Sequence, residues 1–168
     1  MNQKSGFTLI EMLVVLFISL TILGIAIFNY HSGRGKYNLD DATNELVTNV
    51  RQTERWSIDG KTYQENFPQG GYGIFFTKTN PSSYTIFADS SQDHKYQLSE
   101  EVEVIPLPPH IEILSLSPSF PLNIVFQPPW PDIYVNSSTS TSATIILRDT
   151  TTGSTKSITV NPQGGISF

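Results

Sequence analysis

The sequence contains no cysteine and few charged residues. Charged side chains make up 15% of its 168 residues, and 15 acidic residues against 10 basic ones give a formal net charge of -5. The lack of cysteine excludes disulfide frameworks and thiolate metal sites. We predict no nucleic-acid partner, because binding to phosphates depends on positive charge. A weakly charged, polar composition suits a β-rich, exported surface.

Motifs that would indicate an enzyme are also lacking. The histidines His31, His94 and His110 have no metal-ligand spacing, and the glycine-rich stretch QGGYGIFF leads into a predicted strand rather than a helix. We therefore predict no catalytic residue, no metal and no cofactor. Asp89 and Asp93 lie in one short loop, ADSSQD. Calcium is conceivable there, but we predict a solvated turn.

One long apolar run extends from Phe7 to Phe28, and it contains no lysine, arginine or histidine. A helix of this length, at about 1.5 Å per residue, reaches roughly 33 Å, which matches the hydrocarbon thickness of a bilayer. The preceding leader, residues 1–6, carries Lys4 and the initiator amine. This positive charge predicts that the leader stays in the cytoplasm.

The single charge within the run, Glu11, distinguishes three interpretations. The apolar region of a secretory signal peptide has no use for a carboxylate. In a plain membrane anchor, the carboxylate would cost roughly 2.5–3.5 kcal/mol near the helix centre and somewhat less near the end. A functional carboxylate would need a cationic partner. Because the run offers none, that partner would have to come from elsewhere.

The stretch KSGFTLIEMLVVL resembles the N-terminal signal of type IV pilins and pseudopilins, and the likeness extends from Lys4 to Phe28. The resemblance implies that a membrane-embedded aspartyl peptidase, the prepilin peptidase, cuts after Gly6 and N-methylates the new terminus at Phe7. It also implies that Glu11 pairs with the N-terminal ammonium of a neighbouring subunit during assembly on an inner-membrane platform.

The residue types suit these implied roles. Without a side chain, Gly6 lets a peptidase close on the extended backbone at the scissile bond. Cleavage there would create an ammonium at Phe7, about one helical turn from Glu11. In a low dielectric, two such opposite charges on neighbouring chains attract strongly, whereas either charge alone is penalised. We expect the pair to specify register more than it adds stability.

A second helix is predicted at about residues 38–58. The segment before it, YHSGRGKY, contains Gly33 and Gly35, which predict a loosening or break. An apolar stripe along residues 38–58 predicts a face packed on a sheet, and Gly60 predicts the end of the helix. The stripe consists of Leu39, Ala42, Leu46, Val47, Val50 and Trp56.

Residues 70–168 have the pattern of a β-rich region. The turn sequences TNPSS and TTTGS each separate two strands and predict hairpins. The proline-rich segment 118–131 is predicted to lie on the surface, at edges and loops, with Trp130 partly exposed. The predicted strands cover residues 72–78, 84–90, 102–105, 111–116, 122–126, 133–135, 143–147, 157–160 and 165–168.

Together these elements predict an α+β, pilin-like fold. A long N-terminal helix, with a membrane half and an amphipathic half, packs on an antiparallel sheet head. The predicted divisions are a cleaved leader at 1–6, a transmembrane and filament-core helix at 7–30, and a periplasmic or extracellular head at 31–168.

The resemblance implies a structural subunit, a minor pilin or a pseudopilin, and it favours a minor or H-like subunit over a major one, which stays open. Such a subunit would span the bacterial inner membrane once, with its head outside the cytoplasm, and then enter a type IV pilus or type II secretion filament with other subunits. The alternative is an exported binding domain carried by an ordinary signal or anchor.

Overall fold

The structure is a computed structural model that describes residues 8–129 and 132–168, apart from the side chains of residues 25–37. The chain forms two compact units, and the division between them lies between Gly35 and Lys36. Among the described residues, no helix combines the length and the mean hydropathy that a membrane span requires.

Helix α1 spans Leu9–Ile58 and continues through Gly33 and Gly35. The predicted break at these two glycines is wrong. Glycine makes a helix less favourable by about 1 kcal/mol per residue, but it keeps its backbone hydrogen bonds. The helix ends where the sequence predicted, just before Gly60, whose φ of +69° is the left-handed conformation common after a helix.

The predicted apolar stripe of α1 is confirmed as a core face. Its buried members are Leu39, Ala42, Leu46, Val47 and Val50. Trp56 differs, because it is only partly buried at the margin of the core. The Lys61 ammonium lies 3.2 Å from the centre of the Trp56 ring, and the ring of Tyr72 meets it edge-on at 5.7 Å. The indole therefore covers the core while one face binds a cation.

The described residues of the head form nine strands in two antiparallel sheets. The first sheet has the order β3-β2-β1-β5-β6 and the second has the order β4-β7-β8-β9. In chain order the strands are β1 Tyr72–Phe76, β2 Ser83–Ala88, β3 Glu101–Pro106, β4 Ile111–Ser117, β5 Leu122–Gln127, β6 Asp132–Val135, β7 Ala143–Asp149, β8 Thr155–Val160 and β9 Ile166–Ser167. Every strand predicted from the sequence is present.

Both predicted hairpins are confirmed. Strands β1 and β2 pair antiparallel with Ile74 opposite Ile86, and β7 and β8 pair antiparallel with Ile145 opposite Ile158. The side chains of β7 alternate strictly between buried and half-buried positions, as expected of a strand with one face on the core. The fold class is α+β, with an N-terminal helix followed by antiparallel sheets.

The proline-rich segment contradicts its predicted placement at edges and loops. Strand β5 lies between β1 and β6, so it is internal to the first sheet. Five of its six residues are buried. The described prolines stand outside the strand, at positions 118, 121, 128 and 129, and leave its N–H groups free to pair. Trp130 lies outside the described residues.

The core of the second unit combines α1 with both sheets. Side chains from the helix, including Leu46, meet inward residues of the first sheet, such as Ile124, and of the second, such as Ile145. All three of these side chains are fully buried. Burying an aliphatic side chain of this size contributes about 1.5–3 kcal/mol. A hydrogen bond from Asn49 Nδ2 to Tyr84 Oη, 2.7 Å long, adds a polar link between the helix and β2.

Candidate processing and assembly site

The start of α1 forms a closed polar cap around Glu11. The backbone N–H and the Oγ1 hydroxyl of Thr8 each donate a hydrogen bond to Glu11 Oε2 at 2.8 Å. In return, the N–H of Glu11 lies 3.3 Å from Thr8 Oγ1 and donates to it. This is a capping box, in which a threonine before the helix and a glutamate three residues later satisfy each other's exposed polar groups.

The cap has a consequence for the charge of Glu11. The carboxylate accepts two hydrogen bonds from its own chain before any other chain is present. It also lies in the first turn of α1, where the partial positive charge of the helix N-terminus favours an anion. From the sequence, a partner for Glu11 was predicted only from outside the apolar run. The Thr-x-x-Glu spacing of Thr8 and Glu11 would have indicated the internal one.

The surface beside Glu11 is apolar. Ile10, Met12, Val14 and Val15 line a shallow depression next to the carboxylate. All side chains described between residues 8 and 24 are exposed. Glu11 is therefore a single charged group on an otherwise apolar, uncovered helix surface. The other two predicted site residues, Gly6 and Phe7, lie outside the described residues.

The predicted solvated turn at Asp89 and Asp93 is wrong for Asp89, whose side chain is completely buried. Its Oδ2 accepts a hydrogen bond from the N–H of His94 at 3.0 Å, and its Oδ1 accepts one from the N–H of Asp93 at 3.3 Å. These donors form part of the loop itself. Within the described part of the chain, no three histidine or acidic side chains are grouped so that they could hold a metal ion.

The comparison with protein families identifies the N-terminal segment. Residues 1–27 match the family model described as the prokaryotic N-terminal methylation motif, which is the prepilin-type signal of type IV pilins and pseudopilins. The match covers the leader and the first part of α1, including the capping box. No curated protein and no solved structure gives a significant match to the chain.

The matched motif supports a pilin-like or pseudopilin-like subunit that is cleaved by a prepilin peptidase and methylated at its new N-terminus. It also supports association with other pilins and anchoring in the inner membrane. The α+β fold, a helix followed by antiparallel sheets, is consistent with a pilin-like head.

Proposed function

We propose that this chain is a structural subunit of a type IV pilus or type II secretion filament. The observation that carries the proposal is the methylation motif at residues 1–27. Prepilin peptidase would cut between Gly6 and Phe7 and methylate the new amine of Phe7. The chain would then be held in the inner membrane by the apolar run from Phe7 to Phe28, with the head outside the cytoplasm.

The capping box supports a role for Glu11 before assembly. An unpaired carboxylate in a membrane is costly, and hydrogen bonds to an anion reduce that cost. The N–H and hydroxyl of Thr8 supply two such bonds. We infer that Glu11 stays in this cap, close to the cytoplasmic interface, as long as the subunit is not assembled and no cation is beside it.

Assembly would add an ion pair to the capped carboxylate. The Phe7 ammonium of a neighbouring subunit would approach Glu11 Oε1, which accepts no hydrogen bond within the described chain. The exposed apolar residues beside the carboxylate, such as Ile10 and Val14, would then be covered by the neighbour. Removing water from around the pair strengthens the attraction, and the pairing fixes the axial register.

We propose a minor, H-like position in the filament, and the architecture of the head supports it. An amphipathic helix, antiparallel hairpins and a short terminal strand favour a minor, H-like subunit over a major one. Other filament subunits and an inner-membrane assembly platform would be its partners, and it would perform no catalysis itself.

The test is incorporation of Glu11→Gln as the only copy in cells that assemble the filament. We expect the variant to be cleaved, retained in the membrane and strongly depleted in sheared filaments, because the neighbour's ammonium then lacks a counter-charge. The matched control is Glu45→Gln, which removes an exposed carboxylate from the same helix and should be incorporated normally. Normal incorporation of Glu11→Gln would refute the pairing for this subunit.

Mass spectrometry of the wild-type chain tests the processing step separately. The mature N-terminus should be N-methylated Phe7. An intact Met1, or a terminus near Ile27, would instead select the alternative of an exported domain with an ordinary anchor or signal.

A further inference from the structure

The head carries a polar groove that the filament role does not use. It has a volume of about 620 Å³ and lies between the segment after α1 and the loop after β2. Small-molecule sites have volumes of about 300–1,000 Å³. We propose that this groove binds a neutral carbohydrate. The lining consists of two aromatic residues, Tyr63 and Phe67, and five uncharged polar ones, Gln64, Asn66, Gln69, Ser90 and Gln92.

One wall of the groove is a tight turn in an uncommon conformation. Tyr63 and Asn66 exchange backbone hydrogen bonds of 2.7 and 3.1 Å. The two residues between them, Gln64 and Glu65, both have left-handed φ values, of +50° and +66°. Such values are uncommon for residues other than glycine, and they concentrate at ligand clamps and other functional sites. The turn therefore adopts these values without the Asn-Gly sequence that usually favours them.

The same wall is fixed to the body of the head. Tyr63 Oη lies 3.0 Å from the carbonyl oxygen of Glu101, at the start of β3, and donates a hydrogen bond to it. The amide Nε2 of Gln64 donates in turn to Tyr63 Oη at 3.1 Å. The turn therefore presents Tyr63 and Gln64 in defined positions, which reduces the entropy lost when a ligand binds.

Hydrogen bonds to two buried acidic side chains fix the opposite wall of the groove, which is the loop after β2. Glu100 is 4% exposed, and its Oε1 accepts hydrogen bonds from the N–H groups of Ser90 and Ser91 at 3.0 and 2.8 Å. At the other end of the loop, Asp89 accepts a hydrogen bond from the N–H of His94. These hydrogen bonds fix the backbone of the loop at Ser90, Ser91 and His94. The loop that bears Ser90 and Gln92 is consequently preorganised.

Amide groups connect the two walls and leave polar atoms for a ligand. Gln92 Nε2 donates to Gln69 Oε1 at 3.0 Å. Among the described residues, the remaining polar atoms, Gln92 Oε1 and Gln69 Nε2, have no hydrogen-bond partner, and the same holds for Gln64 Oε1. Each amide can thus offer an acceptor or a donor, and neighbouring sugar hydroxyls both donate and accept.

The aromatic residues and the lack of charge indicate the ligand class. Phe67 is 39% exposed although it is large and apolar, and Tyr63 is half-buried beside it. Aromatic faces can pack against the C–H faces of a sugar ring. A charged ligand would lose hydration without gaining an opposite charge from the lining. A peptide would need a strand edge or apolar side-chain pockets, whereas every lining residue belongs to a loop.

Binding is tested with the full chain in a detergent that contains no sugar. The probes are short neutral oligosaccharides of glucose, galactose and N-acetylglucosamine, compared with sialylated oligosaccharides and an uncharged Gly-Ser-Asn peptide, and the measurement is saturation-transfer NMR with titration. We expect at least one neutral oligosaccharide to bind. Its affinity should fall by roughly tenfold in Gln69→Ala and in Phe67→Ala, since each removes a direct contact.

The matched control is Gln163→Ala, which removes an exposed amide outside the groove and should bind like the wild type. Circular dichroism of each variant, compared with the wild type, separates loss of binding from loss of folding. The proposal is overturned if no neutral oligosaccharide binds. It is also overturned if binding survives both groove variants, or if only the sialylated probes or the peptide bind.

Discussion

The two ends of helix α1 show opposite patterns of burial. In the first part, Phe17 is 73% exposed and Leu20 is 66% exposed, and no described side chain between residues 8 and 24 is buried. In the second part, Leu46 and Val50 are both completely buried under the sheets. The same element thus carries an uncovered apolar surface at one end and a packed apolar stripe at the other.

The difference follows from how apolar residues are distributed around the helix. A stripe on one face can be covered by one sheet, and the polar remainder can face water. A helix that is apolar on all sides needs lipid or other helices around it. The described side chains of the first part of α1 are mostly apolar and all exposed, which agrees with the prepilin-type signal at residues 1–27.

The largest expected difference in the stability of the head lies between two glycine-to-alanine substitutions, one in each region. A Cβ on Gly71, where φ is +85°, would collide with the backbone carbonyl of Phe126. We expect Gly71→Ala to destabilise the head by more than about 4 kcal/mol. Gly24 has no neighbouring atom within 4 Å of such a Cβ, so Gly24→Ala should leave the unfolding of the head unchanged. Urea unfolding of both variants, followed by tryptophan fluorescence, measures this contrast, and equal midpoints would contradict it.

An intermediate effect is expected from shortening one leucine at each end of the helix. Leu46 is completely buried, whereas Leu16 is 56% exposed. Leu46→Ala should cost about 3 kcal/mol, because it removes buried methyl groups and leaves a cavity. Leu16→Ala should change the unfolding free energy of the head by less than about 0.5 kcal/mol. Similar losses in urea unfolding would mean that the first part of α1 is packed on protein.

The smallest effect concerns the polar link between α1 and β2. Burial is the main cause that raises the pKa of Tyr84 to about 12 from an ordinary value of 10.0. As the pH rises, Tyr84 therefore ionises in the unfolded chain before it ionises in the folded one. The stability that the neutral phenol gives the folded head is complete below pH 10 and is lost as the pH rises to about 12. The difference between a pKa of 10.0 and one of about 12 corresponds to roughly 2.7 kcal/mol. Tyr84→Phe should therefore weaken the alkaline loss of stability, as measured by urea unfolding across this range.

The control for this experiment is Asn49→Ala. It removes the hydrogen bond to Tyr84 but keeps the phenol, so it should lower stability by about 1 kcal/mol at neutral pH and retain the alkaline loss. Identical pH profiles for the wild type and Tyr84→Phe would show that Tyr84 does not titrate differently in the folded head.

Much of the head was predictable because its signals are local. The strands that become β1, β2, β7 and β8 contain β-branched and aromatic residues, and turn residues separate them. The stripe at Leu39–Val50 was predictable from its helical period, and the helix end from Gly60. The capping box of Thr8 and Glu11 was not predicted, although it also depends on local spacing.

The failed predictions for the proline-rich segment and for Asp89 share another cause. The proline-rich segment indicated an edge, but β5 became internal because its prolines stop at each end of the strand, and its burial depends on pairing with β1 and β6. Asp89 was predicted to be solvated because aspartate is usually exposed in loops. Its burial depends on amide donors that only the folded loop provides.

The sequence by itself determined the prepilin-type signal, the helical periods, the strands and the position of Glu11 in the first turn of α1. These features depend on residue types at fixed short spacings. The tertiary structure decided which strand lies inside the first sheet, that Asp89 and Glu100 are buried, and that Tyr63 and Gln92 line the same groove. Those outcomes depend on contacts between residues far apart in the chain, and the free energy of such contacts is gained only when the whole head packs.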